Sequence, residues 1–295
     1  MNFPAELEES LKTQLGSQYT EFIECCERPP RKSYRVNTIK ADVDEITGRF
    51  DSQPIPWCPI GFHTKDDLGS TIEHYQGLIY IQESASMLPA EVLSPREGDV
   101  VLDLAAAPGS KTTQLAALMS NRGCVIGNDV DFHRLKTLRF NLNRMGVVNT
   151  VVTNMDGVRF NPDIKFDKIL LDAPCSNVGQ LRDNPDAIGT WSPAKVSRCS
   201  HLQKRLIASA STLLNDDGVL LYSTCTFSPE ENEEVVDYAV REHGLKVEEI
   251  EGKFKAHEGI RQWSGMEYDR EVKKTARIYP HDNDTGGFYI AKLRK

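Results

Sequence analysis

The chain has 295 residues, 39% of them apolar and 26% charged, with a net charge of −8. That length suits one large domain plus a smaller lobe, and the composition is ordinary for a globular protein. No apolar run approaches the roughly 20 residues that span a bilayer, which excludes a helical membrane protein, and the acidic balance disfavours a uniformly basic nucleic-acid binder.

The charge is uneven. Residues 1–90 carry 8 Lys/Arg against 14 Asp/Glu, residues 91–200 carry 13 against 12, and residues 201–295 carry 14 against 17. The middle third escapes the acidic bias, which leaves room for a local basic groove. The N-terminal Met1-Asn2-Phe3-Pro4-Ala5-Glu6 is acidic and lacks the apolar core of a signal peptide, so a cytoplasmic protein is expected. Seven scattered cysteines without a CxxC pair, and seven histidines without HxxxH spacing, predict reduced thiols and no zinc site.

In chain order, residues 4–15 and 18–27 read as short helices. Ser33-Tyr34-Arg35-Val36-Asn37-Thr38 follows, then a short helix near 42–49 and a Pro-rich stretch around Ile55-Pro56-Trp57-Cys58-Pro59. Residues 1 to about 80 are therefore expected as a small α/β lobe, with residues 81–295 as the main domain. From residue 99 the signals alternate. Strands are predicted at 99–104, 124–129, 150–153, 168–171 and 219–224, with helices at 112–119, 132–145 and 194–214. The turn Asp216-Asp217-Gly218 precedes the last of these strands. Ser228-Pro229-Glu230-Glu231 reads as a capping box opening a helix that runs to His243. Residues 246–250 and 288–293 supply two final strands. Strands separated by helices imply right-handed crossovers and a mostly parallel sheet, here of seven strands in a methyltransferase-type Rossmann fold.

The first strand of this series ends in Asp103-Leu104-Ala105-Ala106-Ala107-Pro108-Gly109-Ser110-Lys111-Thr112. Small residues let the backbone approach a ligand at the first strand-to-helix turn. The stretch is neither GxGxxG nor GxxxxGK[ST], because residue 104 is Leu. A phosphate-binding loop is disfavoured, and S-adenosylmethionine, which has no phosphate, fits better. Asp129, at the end of the second strand, stands where an acid can hold ribose hydroxyls, and Asp156 could reach an adenine edge. Either aspartate could equally cap the structure that follows it.

Two cysteines follow adjacent predicted strands: Cys175 in Asp172-Ala173-Pro174-Cys175 and Cys225 in Thr224-Cys225-Thr226. In a parallel sheet both reach the crevice at the strands' carboxyl ends. A carboxylate beside two thiols suits attack on an electron-poor ring such as cytosine. A thiolate adds to carbon 6, Asp172 steadies ring nitrogen 3, and carbon 5 accepts a methyl group. Spacing alone does not say which thiol attacks. Cys124 and Cys199 read as inert core residues, and Cys25 and Cys26 as residues of a helix face.

Taken together, AAPGSKT at 106–112, DAPCS at 172–176 and YSTCTFSPEENE at 222–233 closely resemble the Sun family of RNA cytosine-5 methyltransferases. Arg277-Ile278-Tyr279-Pro280-His281 and Gly286 to Ala291 extend the match, and Tyr34 to Thr38 continues it more weakly. The resemblance implies an S-adenosylmethionine-dependent enzyme with Cys225 as nucleophile and Cys175 assisting product release. It places Asp172 on the target base and Lys111 near the reacting centre. It arranges Ala105, Ala106, Ala107, Pro108, Gly109, Ser110, Lys111, Asp129, Arg134 and Asp156 around the cofactor. A Pro-Cys pair is also the nucleophile motif of DNA cytosine-5 methyltransferases, which would favour Cys175. The chain departs from the Sun pattern at Ala105, usually Cys, and at Ser110 and Asn177, each commonly Gly. Arg35, Arg139, Arg144, Arg182, Lys204 and Arg205 are candidate phosphate contacts. With no appended RNA-binding domain evident, the layout resembles compact members that act on tRNA. A monomer acting on tRNA is expected, with rRNA, or a non-catalytic RNA-binding role, as alternatives.

Overall fold

A computed structural model describes every residue except Asn2. The apolar runs form five parallel strands in the spatial order Thr150–Thr153, Cys124–Asn128, Val100–Asp103, Phe166–Asp172 and Leu214–Thr224. Their side chains alternate between two cores. Leu102, Ile169, Leu171, Leu220 and Tyr222 enter one, and Val101, Val125, Leu170, Val219 and Leu221 enter the other. Burial on both faces is why these strands read as continuous apolar runs. From Val100–Asp103 the chain winds outward to Thr150–Thr153, then returns to Phe166–Asp172 on the other side. That reversal opens a crevice at the carboxyl ends of the central strands.

The methyltransferase-type α/β fold is as expected, but the sheet is mixed and has nine strands, not seven. Phe288–Arg294 runs antiparallel to Leu214–Thr224 and also pairs with Ala276–Ile278 and Lys246–Glu248. His257–Glu258 closes the edge. The two added strands, Ala276–Ile278 and His257–Glu258, are too short to show a period of their own. The expected turn at 216–218 lies inside Leu214–Thr224 as a register shift, with Asp217 in the left-handed region.

The capping box at Ser228 is corrected. The helix is Glu233–His243, and Glu231 caps nothing at its start. Its buried carboxylate accepts from the Ser176 backbone N–H at 2.9 Å and from Gln203 Nε2 at 3.1 Å. A side chain committed to a distant loop is lost to local capping.

The N-terminal lobe holds a four-stranded antiparallel sheet, ordered Gln53–Ile55, Cys58–Thr64, Lys32–Val36 and Ile79–Ile81. The first two helices, Ala5–Leu15 and Tyr19–Cys26, pack elsewhere. Leu7, Leu11, Leu15 and Phe22 join Val178, Leu181, Phe227 and Tyr279 in one cluster beneath the cysteine loops. Cys25 and Cys26 are both buried in this layer.

Two expected phosphate contacts are internal. Arg35 is fully buried and donates to Thr113 Oγ1 at 2.9 Å and to the Ser110 carbonyl at 3.3 Å, tying the lobe to the helix Ser110–Leu118. Arg182 is spent on the Thr285 and Pro29 carbonyls and on Asp284. Each side chain satisfies backbone carbonyls at a junction between segments, a role with no local sequence signature. Arg144 likewise donates to the His74 carbonyl, and Lys204 pairs with Glu234 at 2.6 Å.

Arg277 joins three parts of the molecule. It forms a two-pronged pair with the fully buried Glu233, and it donates to Gln14 Oε1 at 2.8 Å and the Phe227 carbonyl at 3.1 Å. Removing one partner of such a pair strands the other charge out of water. Arg277→Ala is expected to lower unfolding free energy by about 3–5 kcal/mol in a urea titration. A loss below about 1 kcal/mol would show that water reaches Glu233.

Candidate active site

One cavity of about 660 Å³ fills the crevice. It is lined by residues 105–108, Ser110, Lys111, Asp129, Arg134, Asp156, Asp172, Cys175 and Cys225. Of the residues expected at the site, Gly109 alone does not line it. Gly109 caps the helix Ser110–Leu118 at φ +106°, where a Cβ would stand 2.8 Å from Leu138 Cδ1, so the position needs glycine. Ser110 lies outside the left-handed region, so the second glycine of the family pattern is not required here.

The loop is held from below. The Ala106 N–H donates to the Asn128 carbonyl at 2.7 Å, and the Ala107 N–H donates to Asp129 Oδ2 at 3.1 Å. Arg134 pairs with Asp129 at 3.4 Å and also reaches the Ala107 carbonyl. Asp129 does not cap the next helix; Asp131 does, accepting from the His133 and Arg134 N–H groups. Asp156 accepts from the Val158 N–H at 3.0 Å, so it shapes its own turn as well as facing the cavity.

Asp172 and Cys225 meet because their strands run parallel in register, with Asp172 opposite Ser223. Asp172 Oδ2 accepts from Lys111 Nζ at 2.7 Å, and Oδ1 accepts from the Ser223 hydroxyl at 2.8 Å. Burial works against the Lys111 charge, but the attraction and hydrogen bond of Asp172 outweigh it and raise the lysine pKa. Lys111 Nζ also lies 5.4 Å from the Phe288 ring centroid.

The two sulfurs are 3.4 Å apart, in contact but unbonded. Cys175 is 7% exposed, whereas Cys225 is half-buried and opens on the cavity. The hydrogen bond with Cys225, followed by burial, pushes the Cys175 thiol well above its ordinary pKa. Asn177 Oδ1 lies within hydrogen-bond reach of both thiols, at 3.2 and 3.3 Å, and can accept from either. Asn177 sits at φ +68°, a conformation that asparagine tolerates better than most residues, which explains how it stands where glycine is common. Gly179 clamps the Cys225 loop. Its N–H donates to the Cys225 carbonyl at 2.9 Å, and its own carbonyl accepts from the Gly287 N–H at 2.7 Å.

Sequence reasoning gave no role to Ser223 and Phe288, and none of their own to Asp103, at the head of the cofactor loop, and Asn177, a departure from the family pattern. Asp103 heads the small-residue loop and is fully buried. Its Oδ2 accepts from Thr112 Oγ1 at 2.7 Å, while Oδ1 has no partner. A carboxylate directly before the small-residue run was the available signal. A larger open groove of about 920 Å³ lies elsewhere, lined by Glu6, Glu9, Glu230 and Glu234, and brings no thiol to its surface. The cavity thus combines an accessible thiol, a buried protonated thiol and a carboxylate–ammonium pair, a set suited to nucleophilic attack with proton handling.

Burial raises the Asp103 pKa to about 7. Its ordinary value is 3.8, so between these pH values the folded state holds a proton that the unfolded state has released. The contribution of Asp103 to stability therefore falls as pH rises from about 4 to about 7, by up to about 4 kcal/mol, and is level above that window. Asp103→Asn is expected to flatten that slope in unfolding titrations of the ligand-free protein. An unchanged slope would locate the titration elsewhere.

Residues 90–294 match the family described as 16S rRNA methyltransferase RsmB/F, and residues 3–84 match the N-terminal domain of 16S rRNA methyltransferase RsmF. The chain is 48% identical over 277 residues to the tRNA (cytosine(49)-C(5))-methyltransferase of Pyrococcus abyssi, covering 91% of this chain and 89% of that one. It is 41% identical over 309 residues to ribosomal RNA small subunit methyltransferase F of Aliivibrio fischeri, covering 99% of this chain but 63% of that longer protein. Among solved structures, NSun6 from Pyrococcus horikoshii with SFG superposes at a TM-score of 0.88 and 28% identity, covering 99% and 98% of the two chains. A methyltransferase homolog from the same organism gives 0.87 at 35% identity, covering 97% and 93%. The chain belongs to the RsmB/F family of Sun-type methyltransferases and is an RNA cytosine-5 methyltransferase.

Proposed function

We propose that the chain methylates carbon 5 of a cytosine in tRNA through a covalent bond to Cys225, using S-adenosylmethionine as methyl donor. The pairing of the half-buried Cys225 with the buried, protonated Cys175 at 3.4 Å carries this reading. The cavity suits a phosphate-free, cationic cofactor. Asp103, Asp129, Asp156 and Asp172 bring four carboxyl groups to it against Lys111 and Arg134, and Asp103 Oδ1 is buried without a partner among the described residues. The NSun6 relative was solved with SFG, an analogue of S-adenosylmethionine. Residues 105–111, Asp129, Arg134 and Asp156 would hold the cofactor, which supplies the methyl group when bound.

Cys225 Sγ adds as thiolate to carbon 6, and the ring electrons move toward carbon 5 and nitrogen 3. Asp172, oriented by Lys111 and Ser223, shares a proton with ring nitrogen 3 as the electrons arrive there. After carbon 5 is methylated, a base takes its proton, the carbon 5–carbon 6 double bond re-forms, and the bond to Cys225 breaks. Cys175, kept as a thiol, donates a hydrogen bond to the departing sulfur.

The relative named for tRNA matches over most of both chains, whereas the rRNA enzyme of Aliivibrio extends well beyond this one. The identity, 48% to the tRNA enzyme against 41% to the rRNA enzyme, favours tRNA. The lobe of residues 1–80 and the helix Phe132–Met145 would grip the RNA. The helix has four Lys/Arg and no Asp/Glu, in a chain of net charge −8. It also exposes Phe132 and Phe140, at 53% and 64%. Exposed cations between aromatic rings suit phosphates and unstacked bases.

Two tests follow from these roles. Cys225→Ala is expected to abolish methyl transfer, read by bisulfite sequencing of tRNA, while Cys175→Ser accumulates a denaturant-stable protein–RNA adduct. An adduct that requires Cys175 and survives Cys225→Ala would overturn the assignment. Lys136→Glu with Arg139→Glu is expected to weaken tRNA binding and to flatten the log–log salt dependence by about 0.7–0.9 for each phosphate no longer neutralised. An unchanged slope would place the RNA on another face.

A further inference from the structure

Away from the cavity, three side chains that no local sequence pattern links come together. His257 comes from the edge strand His257–Glu258, which pairs with Ala276–Arg277, and His281 and Asp282 come from the helical turn Pro280–Asn283. His257 Nε2 lies 3.1 Å from Asp282 Oδ1, and His281 Nε2 lies 4.0 Å from the same oxygen. All three donor atoms fall within 4.8 Å of one another. With the two ring nitrogens no more than 4.8 Å apart, a point equidistant from the three donors lies within about 2.4 Å of each, close to the roughly 2.0–2.2 Å of zinc–ligand bonds.

His281 is the informative member. Its side chain is 3% exposed, between the rings of Phe22 and Tyr279, and among the described residues neither ring nitrogen has a hydrogen-bond partner. A buried imidazole with both nitrogens unanswered is unusual, because buried polar groups are normally satisfied. Asp282 Oδ2 accepts from the Tyr279 N–H at 3.0 Å as the cap of its own helical turn, which fixes the orientation of the carboxylate. His257 is 35% exposed and offers a route in from solvent.

We propose that His257, His281 and Asp282 bind one divalent transition-metal ion of the zinc type. Two imidazoles and one carboxylate favour such borderline ions over Mg²⁺ or Ca²⁺, which prefer all-oxygen sites. Three protein ligands leave a fourth tetrahedral position for water. The ion's work is structural. It clips the segment around His257 to the turn that leads to Gly286 and Gly287, both on the cavity wall. Tyr279, next to the turn, stacks on Phe227 at 5.5 Å, two residues beyond Cys225. The clip therefore braces the support of the reacting thiols without entering the reaction.

Titration of chelator-stripped full-length protein with Co²⁺ tests the site. One equivalent per chain is expected, with visible ligand-field absorption that Zn²⁺ displaces. Zn²⁺ is also expected to raise the thermal unfolding midpoint. Both effects should vanish in His257→Ala, whose partly exposed side chain is removable without a buried cavity, and the ligand-field absorption should also be lost in Asp282→Asn. Absence of saturable Co²⁺ binding would overturn the proposal. So would binding that persists in His257→Ala, or a sulfur-to-cobalt charge-transfer band, which would place the ion on Cys175 and Cys225.

Discussion

The chemistry rests on the parallel register between Phe166–Asp172 and Leu214–Thr224. Asp172 stands opposite Ser223, so the two strands end level and their following loops meet over the crevice. Side chains alternate along a strand, so a slip of one residue would turn Asp172 into the core and a buried leucine outward. The apolar cores on both faces oppose that slip with every inward residue of both strands. The contact between the sulfurs is therefore a consequence of sheet packing. The loops alone could not have maintained it.

Buried polar groups then convert this placement into a rigid site. Glu231 reaches back to the Ser176 N–H and Gln203, fastening one cysteine loop to the segment that carries the other. Gly179 and Gly287 zip the second loop through backbone bonds. Arg277 and Glu233 brace the same region from behind and draw in Gln14 from the first helix. These groups sit in a low-dielectric interior, where an unpaired member is costly and a satisfied set is stiff. Stiffness matters here because Asn177 must face both thiols while Asp172 remains paired with Lys111 and Ser223.

Much of the architecture was legible in the chain. The five central strands and the helices between them carried strong signals, because apolar runs and 3.6-residue periodicity are local properties. The helix Phe132–Met145 was expected over those same residues, with Leu135, Leu138 and Leu142 on its buried face. The short strands at 257–258 and 276–278 were not legible, since two or three residues show no period. Arg35 and Arg182 looked like surface cations, yet they serve carbonyls far away in sequence. The pattern at Ser228 looked like a helix cap, yet its glutamate serves the Ser176 loop. In each case a long-range hydrogen bond overrode a local propensity.

The sequence by itself determined the fold class, the small-residue loop and the presence of two thiols and a carboxylate at strand ends. It did so because strand periodicity and loop composition are written in consecutive residues. Tertiary structure alone decided which thiol is buried, that Asn177 bridges both, that Asp103 lies beneath the loop with its pKa raised, and that His257 meets His281 and Asp282. Those facts depend on burial and on distances between segments far apart in the chain. Protonation and reactivity follow from that environment, and no run of neighbouring residues encodes it.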